Sequence, residues 1–203
     1  MPQQRAWPAA RNRFTEKGGM LRTSVALRLG IHPRTLYAMR DAGEIERVGP
    51  GLYRLADRPP LSNPDWVTVA LRVPRAVICL ISALSYHDLT TQVPHQIDVV
   101  LPSHAQAPRM RPLPIRVFWY SEAMLRSGVA EVEIDGVRVR IFTAEKTIAD
   151  CFKYRNKIGI DIAVEALRLY RERTRRPKLA PILEYARIGR VEKIVRPYLE
   201  ALL

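Results

Sequence analysis

One segment, residues 21–55, limits the possible folds of this chain more than any other. It reads LRTSVALRLGIHPRTLYAMRDAGEIERVGPGLYRL. The pattern predicts a helix over 23–29, a turn at Gly30, a second helix that opens at Pro33, and a β-ribbon that turns over at 49–51. This is the order of a winged helix-turn-helix, in which the second helix enters the major groove of DNA.

The charge of the chain favours a polyanionic partner. It holds 33 Lys and Arg against 20 Asp and Glu, a net charge of +13. Residues 1–60 carry 11 basic and 5 acidic residues, and residues 61–203 carry 22 and 15, so the N-terminal third is the more densely positive. A positive excess raises both affinity and association rate for phosphate groups. The basic segment 168–203 is either a second surface for a polyanion or the solvated face of terminal helices, and the solvated face is favoured because charged helix surfaces are common.

We predict an α+β fold in two domains: a winged helix-turn-helix DNA-binding domain at 1–57, and a mixed α+β domain at 58–203 that ends in helices. The boundary lies in DRPPLSNP, where three prolines in eight residues cannot sustain a helix or a strand ladder. The remaining elements are predicted as helices over 9–17, 74–88, 143–154, 160–173, 180–186 and 191–203, short helices that begin at Pro64 and at Ser121, strands over 96–101 and 115–120, and a hairpin that turns at 135–136.

The cysteine and hydropathy patterns indicate an intracellular protein. Cys79 and Cys151 each lie in an apolar helical pattern without a neighbouring cysteine or histidine ligand, so we predict reduced core residues in a cytoplasmic protein. No signal peptide is visible. The longest apolar run, residues 77–84, is far shorter than the roughly 20 residues of a membrane helix, so no membrane partner is expected.

Seven side chains are candidates for DNA contact. Arginine can pair with guanine, threonine can touch a thymine methyl, and tyrosine can reach a phosphate, while basic residues beside the wing tip suit backbone or minor-groove contact. Helical periodicity groups Leu36, Tyr37, Met39 and Arg40, whose apolar members seat the helix on the core, and it turns Arg34, Thr35, Ala38 and Asp41 outward. Two alternatives stay open: Tyr37 and Arg40 are partly core, and Arg54 pairs with an acid. The seven are His32, Arg34, Thr35, Tyr37, Arg40, Arg47 and Arg54.

Catalytic patterns are incomplete in this sequence. His87-Asp88 and His95-x-x-Asp98 have the types for acid–base or metal chemistry, but isolated histidines beside element ends are more often hydrogen-bonded surface residues. A nuclease would need an acid-x-Lys after Asp98, and the strand that carries Glu133 lacks that lysine. There is no phosphate-binding glycine loop, GxSxG or zinc spacing. We predict no enzyme activity, no catalytic residues, no metal and no cofactor.

The chain resembles the AbiEi-type antitoxins, the repressor halves of abortive-infection (type IV) toxin–antitoxin pairs, over roughly residues 15–175. The matching segments are GIHPRTLYAMRDAGEIERVGPGLYRL, SALSYHDLTTQVPHQIDVVLP and IFTAEKTIADCFKYRNKIGIDIAVEALRLY. The resemblance implies a winged helix-turn-helix that binds inverted repeats in its own promoter. It also implies a C-terminal domain linked to cooperative operator binding and to neutralising a nucleotidyltransferase-like toxin.

Carried over by motif position, the DNA-binding role falls on five of the seven candidates. The family's recognition helices often carry more basic residues than PRTLYAMRD does, which is a departure from its pattern. The five are Arg34, Thr35, Tyr37, Arg47 and Arg54.

The sequence therefore predicts a non-catalytic DNA-binding autorepressor that acts as an antitoxin. Its expected partners are double-stranded DNA with an inverted-repeat operator and a nucleotidyltransferase-like toxin, with a monomer in solution and two copies on DNA. Arg109 and Arg111, on a proline-rich loop, are candidates for partner or DNA contact. Two alternatives stay open: a stand-alone transcription regulator with a ligand-sensing C-terminal domain, and a nucleic-acid-processing enzyme that uses Asp98 and Glu133.

Overall fold

The computed structural model describes residues 6–201, which divide into two compact units. The first contains residues 6–74 and 133–138, and the second contains 75–132 and 139–201. The main elements of the first unit are α1 (Trp7–Glu16), β1 (Met20–Arg22), α2 (Thr23–Arg28), α3 (Pro33–Asp41), β2 (Ile45–Gly49), β3 (Leu52–Leu55) and α4 (Pro64–Arg72).

A three-stranded antiparallel sheet in the order β1-β3-β2 forms the centre of the first unit. Its strands alternate between two faces. On β3, Tyr53 and Leu55 pack with Phe14, Leu36 and Met39 in the core of the three-helix region. On the opposite face, Leu52 joins Met20 of β1 and Val67 of α4. The helix-turn-helix is thus fixed on one side of the sheet and α4 on the other.

The first unit extends beyond the predicted domain boundary at residue 57. Residues 56–63 form no helix or strand, as their prolines predict. However, α4 follows them and buries Val67 against the sheet, where Ile134 and Val137 of the hairpin tip also pack. Asp135 accepts hydrogen bonds from the backbone N–H and the hydroxyl of Ser62 at 2.9 and 3.0 Å. The prolines interrupt the secondary structure after β3. The compact unit nevertheless extends to Pro74, because α4 buries apolar side chains against the sheet.

The second unit is built on a five-stranded mixed sheet in the order β6-β5-β4-β8-β7. The β4 strand pairs antiparallel with β5 and parallel with β8, and β5 pairs parallel with β6. The elements are β4 (Val77–Ile78), α5 (Leu80–Tyr86), β5 (Ile97–Pro102), β6 (Ile115–Tyr120), α6 (Glu122–Arg126), β7 (Val129–Ile134), β8 (Val137–Phe142), α7 (Ala144–Lys153), α8 (Arg155–Ile158), α9 (Ile160–Arg173), α10 (Leu179–Ile188) and α11 (Glu192–Glu200).

This arrangement confirms the predicted α+β class and corrects one element. The helix expected over 74–88 is a strand, β4, followed by a shorter helix, α5. The apolar run at Val77 and Ile78 fills the middle of the sheet, and such a short run does not distinguish strand from helix by periodicity. The Asp98 carboxylate accepts from the backbone N–H of Ile81 at 3.2 Å and so helps to fix the start of α5.

The core of the second unit gathers around α7, whose residues from Lys146 to Phe152 are all buried. Cys79 and Cys151 are free and buried, which confirms their prediction as core residues outside disulfides. Among residues 6–201, no helix combines the length and the apolar character needed to span a membrane.

A buried ion pair lies within α7. Lys146 is 0% exposed and Asp150 is 1% exposed, and their Nζ and Oδ1 atoms are 2.5 Å apart. The Lys146 Nζ atom also lies 4.7 Å from the centre of the Phe142 ring and 5.1 Å from that of Tyr120. Burial raises the pKa of Asp150, while the positive charge of Lys146 opposes that rise. The four-residue spacing places both charges on one helix face, so each compensates the other.

Candidate nucleic-acid interface

The α3 helix is fixed on the core by a narrow apolar stripe. It begins at Pro33, and the backbone N–H of Arg34 donates to His32 Nδ1 at 3.1 Å, which caps the helix N-terminus. Leu36 and Met39 are fully buried, and Thr35 is 8% exposed. Because residues three and four apart share a helix face, Met39 lies on the same face as Leu36 and Thr35, and all three side chains point into the unit.

The inward position of Thr35 corrects one expectation about this helix. The sequence pattern placed Thr35 outward and counted Tyr37 in the seating set, but Tyr37 is 42% exposed. Residues 35, 36 and 39 pack in the core. This packing places Tyr37 on the solvent face of the helix, with His32 and Arg34. Residues 34 and 37 are three apart, so their side chains are neighbours on that face.

Arg40 is exposed, but its charge is locally compensated. Its Nη2 and Nε atoms donate to Asp41 Oδ1 at 2.6 and 2.8 Å. This hydrogen bond is the main reason that the pKa of Arg40 is raised above its usual value. The guanidinium also lies over the Tyr37 ring, 5.2 Å from its centre. The uncompensated positive charge of α3 therefore lies at its N-terminal end, on Arg34.

The ribbon after α3 presents one of its two predicted arginines. Arg47 is exposed, and its Nε donates to the carbonyl of Gly49 at 3.2 Å, across the register irregularity between these two residues. Arg54 is 5% exposed. Its Nη1 and Nη2 atoms donate to the carbonyls of Pro59 and Arg58 at 2.7 and 2.8 Å, and it forms an ion pair with Glu46.

The position of Arg54 differs from the exposed wing contact expected from the sequence. The side chains of β3 at 52 and 54 share one face of the sheet, and the loop after β3 folds back over Arg54. The hydrogen bonds of its guanidinium hold that loop against the sheet.

Arg109 and Arg111 are both exposed on the segment between β5 and β6. They belong to the second unit, whereas α3 and the ribbon belong to the first. The structure therefore brings His32, Arg34, Tyr37 and Arg40 together on one helix, with Arg47 on the ribbon that follows it.

Of the two residues of the nuclease alternative, Asp98 is buried in an ion pair with Arg116. Asp98 is 1% exposed, and its two carboxylate oxygens accept from Arg116 at 2.7 and 2.9 Å. Burial raises the pKa of Asp98, and the Arg116 hydrogen bonds oppose that rise. Glu133 is exposed and belongs to the first unit, while Asp98 belongs to the second.

One of the two histidines considered in the sequence, His87, has a backbone contact. The His87 Nε2 atom is 2.8 Å from the carbonyl oxygen of Phe142, a contact that joins the end of α5 to β8. Within residues 6–201, no group of three His, Cys, Asp or Glu side chains could hold a metal ion.

Sequence reasoning missed a second set of basic residues in the first unit. Two concavities, of about 470 and 310 Å³, share Arg22 and Ser24 among their lining residues. The second concavity also includes Pro50 and Gly51 of the wing tip. We call the two together the basic groove, and its basic lining residues are Lys17, Arg22, Arg28, Arg72 and Arg138.

The basic groove could not be recognised as a pattern in the sequence. Arg22 and Arg138 are far apart in the chain and meet only because the hairpin tip at 133–138 packs within the first unit. The only signal in the sequence is the high density of positive charge in the first 60 residues.

The comparisons with known proteins address the N-terminal region and the fold. The model of the family described as "Transcriptional regulator, AbiEi antitoxin" matches residues 12–56. This segment contains α2, α3 and the ribbon. No curated protein matches the chain. The crystal structure of the RV2827C protein from Mycobacterium tuberculosis is similar at 11% identity and a TM-score of 0.55, covering 96% of this chain and 80% of that chain.

The structural likeness concerns the fold, since the identity is low. The family match concerns the segment that carries the exposed face of α3, and this family consists of antitoxins that are transcriptional regulators. The resemblance expected from the sequence is therefore confirmed for residues 12–56, which match the AbiEi antitoxin family of transcriptional regulators.

Proposed function

We propose that this chain is a DNA-binding autorepressor and the antitoxin of a toxin–antitoxin pair, and that it acts without a catalytic step. The observation that carries the proposal is the solvent face of α3, with Arg34 and Tyr37 exposed beside each other. This face lies within the segment that matches the regulator family. The N-terminal domain, residues 1–57 in the sequence prediction, supplies DNA binding, and residues 58–203 supply the antitoxin function.

Base reading is concentrated at the N-terminal end of α3. The first residues of a recognition helix are those that contact base edges in the major groove. Arg34 offers a planar pair of donors that suits guanine, and the exposed Tyr37 hydroxyl suits a phosphate. At the other end, Asp41 would repel phosphates, but its ion pair with Arg40 reduces that repulsion. Arg47 on the ribbon contributes a backbone contact.

Two copies on one inverted repeat compensate for this small number of base contacts. A single unit with one strong base-reading arginine supplies little discrimination, because each bidentate pair contributes about 1–3 kcal/mol. Two units on half-sites about 10 base pairs apart would combine their contacts. The chain is a monomer in solution in this proposal, and dimerisation occurs on the operator.

The proposed protein partner is a nucleotidyltransferase-like toxin. The exposed Arg109 and Arg111 are candidates for contact with it or with DNA. If the chain instead is a stand-alone regulator, neutralisation of a neighbouring toxin will be absent while DNA binding remains.

The DNA-binding half of the proposal is tested by footprinting on the DNA upstream of the gene at two salt concentrations. We expect a symmetric footprint that weakens steeply with salt. Arg34→Ala is expected to weaken binding and relax preference for the operator, and Arg47→Ala to weaken binding to any duplex. Arg126→Ala is the control, since Arg126 is exposed on α6 and pairs with Glu122. Unchanged operator binding by Arg34→Ala and Arg47→Ala would refute this site assignment.

The antitoxin half is tested in cells by co-expression with a nucleotidyltransferase-like toxin encoded beside the gene. We expect growth to be restored by the wild-type chain. The Arg34→Ala variant should also restore growth when both genes are driven from foreign promoters, because α3 serves the DNA alone. Continued growth arrest with the wild-type chain would reject the antitoxin role and favour the stand-alone regulator.

A further inference from the structure

The basic groove differs from other positive parts of the first unit because four of its basic residues form no salt bridge within the described part of the chain. Arg11 pairs with Glu44 and Asp57, Arg40 with Asp41, and Arg54 with Glu46. In contrast, no salt bridge within residues 6–201 involves the groove residues Lys17, Arg22, Arg28 or Arg138. No acidic side chain among the described residues lines either concavity.

Arg22 and Arg72 both line the second concavity. The Arg22 Nη2 atom is buried and has no hydrogen-bond partner in the described structure. Burial lowers the pKa of Arg22, and the positive charge of Arg72 lowers it further. A buried donor without an acceptor is unfavourable, and an anion bound beside Arg22 would supply the missing acceptor.

The groove adjoins the wing tip. The backbone N–H of Thr23 donates to the carbonyl of Gly51 at 2.8 Å, which ties the start of α2 to the tip. The exposed Ser24 follows, and it lines both concavities. A hydroxyl beside guanidinium groups is a common donor set for phosphate oxygens.

We propose that the basic groove binds the phosphate backbone of DNA and extends the contact surface beyond α3 and Arg47. Arg22, with the neighbouring Arg72 and Ser24, holds one phosphate beside the wing tip. Arg28 and Arg138 contact the backbone further along the groove. This inference rests on the proposed DNA-binding function and adds the part of the surface that holds DNA without reading sequence.

The test compares a double variant with a matched control on two duplexes. Arg22→Gln with Arg138→Gln removes two charges from the groove. Arg126→Gln with Arg168→Gln removes the same charge from exposed positions of the second unit. Fluorescence anisotropy measures binding to the upstream duplex and to a scrambled duplex of the same composition, across a series of salt concentrations.

The groove variant is expected to bind both duplexes more weakly by the same factor. Because each phosphate contact contributes about 0.9 to the slope of log affinity against log salt, the slope should become shallower by about 2. The control should keep the wild-type slope. This pattern differs from that of Arg34→Ala, which should change the ratio between the two duplexes.

Three outcomes would overturn the proposal, and they are distinguishable from one another. If the wild-type chain binds neither duplex, the proposed function fails together with the groove. If the wild-type chain binds and the groove variant matches the control in affinity and slope, only the groove fails. If sulfate raises the melting temperature of the wild type but not of the groove variant, and the DNA slope is unchanged, the groove holds a small anion instead.

Folding of the variants is checked by circular dichroism and thermal unfolding. Replacing Arg22 by Gln removes the repulsion with Arg72, so the melting temperature is expected not to fall. Should this variant fail to fold, Arg28→Gln with Arg138→Gln takes its place, since both side chains are exposed. The same equal weakening on both duplexes is expected from that pair, and wild-type binding by it would refute the groove.

Discussion

Removing either charge of the Lys146–Asp150 pair is expected to destabilise the second unit strongly. The two side chains are 0% and 1% exposed, so neither charge can turn to water when its partner is lost. A buried charge left alone costs about 3–5 kcal/mol in general. Because both side chains are completely buried, solvent does not screen the charge that remains, and the full cost is expected here. Since domains are stable by about 5–15 kcal/mol, each single variant loses a large share of its stability.

A double-mutant cycle separates the loss of the pair from the loss of packing. The cycle uses Lys146→Met, Asp150→Leu and the two together. The Lys146 Nζ atom lies near the Phe142 and Tyr120 rings, so a methionine there meets apolar neighbours. Replacing both charges by apolar groups leaves no charge unpaired. The double variant is therefore expected to lose at least about 2 kcal/mol less than the sum of the single variants.

Urea denaturation followed by circular dichroism measures the free energy of unfolding of each variant. The matched control is the exposed pair Glu122 and Arg126, which has the same four-residue spacing on α6. Its apolar replacements should change stability by less than about 1 kcal/mol. Single losses below about 1 kcal/mol at Lys146 and Asp150, or strictly additive losses, would refute the argument that each charge depends on the other.

Two further predictions concern a close approach and alkaline pH. Gly128 has φ +69°, and a Cβ atom there would lie 2.6 Å from the Lys146 Cβ, so Gly128→Ala should cost about 2–4 kcal/mol by urea denaturation. Gly43→Ala, with φ +76° and open space, should cost only about 1 kcal/mol, and equal losses would contradict the steric argument. Burial raises the pKa of Tyr154 and Tyr170 from 10.0 to about 12. The folded state holds the two phenol protons more tightly than the unfolded state, so this contribution to the free energy of unfolding is present below pH 10 and is lost as pH rises through about 12. Replacing both tyrosines by Phe should therefore make the fall in stability across that pH range less steep.

The sequence alone was informative where local chemistry decides the structure. Proline at the first position of α3 and the Gly-Pro-Gly tip each act within a few residues. These local signals predicted the helix, the ribbon and the proline-rich break at their observed places. The Asp135-Gly136 turn likewise predicted the β7–β8 hairpin, because positive φ angles at 52° and 76° suit these residue types.

Local signals did not determine which side chains of the interface face solvent. Thr35 and Tyr37 exchanged their expected positions because packing of α3 on Phe14 and the sheet sets its rotation. Arg54 is covered because the loop after β3 folds back and offers carbonyl acceptors. The strand β4 formed in place of a helix because β5 and β8 supply its hydrogen bonds from distant parts of the chain.

The sequence by itself determined the order of the three helices and the ribbon in the first 60 residues, the α+β class and the positive charge, but it did not predict β1. Each of these depends on residue type or on spacing within one element. Only the tertiary structure decided which positive charges are neutralised and which converge. Arg40 and Arg54 face acids, whereas Arg22 and Arg138 share a groove without one, because contacts between residues distant in the chain bring side chains together independently of their spacing.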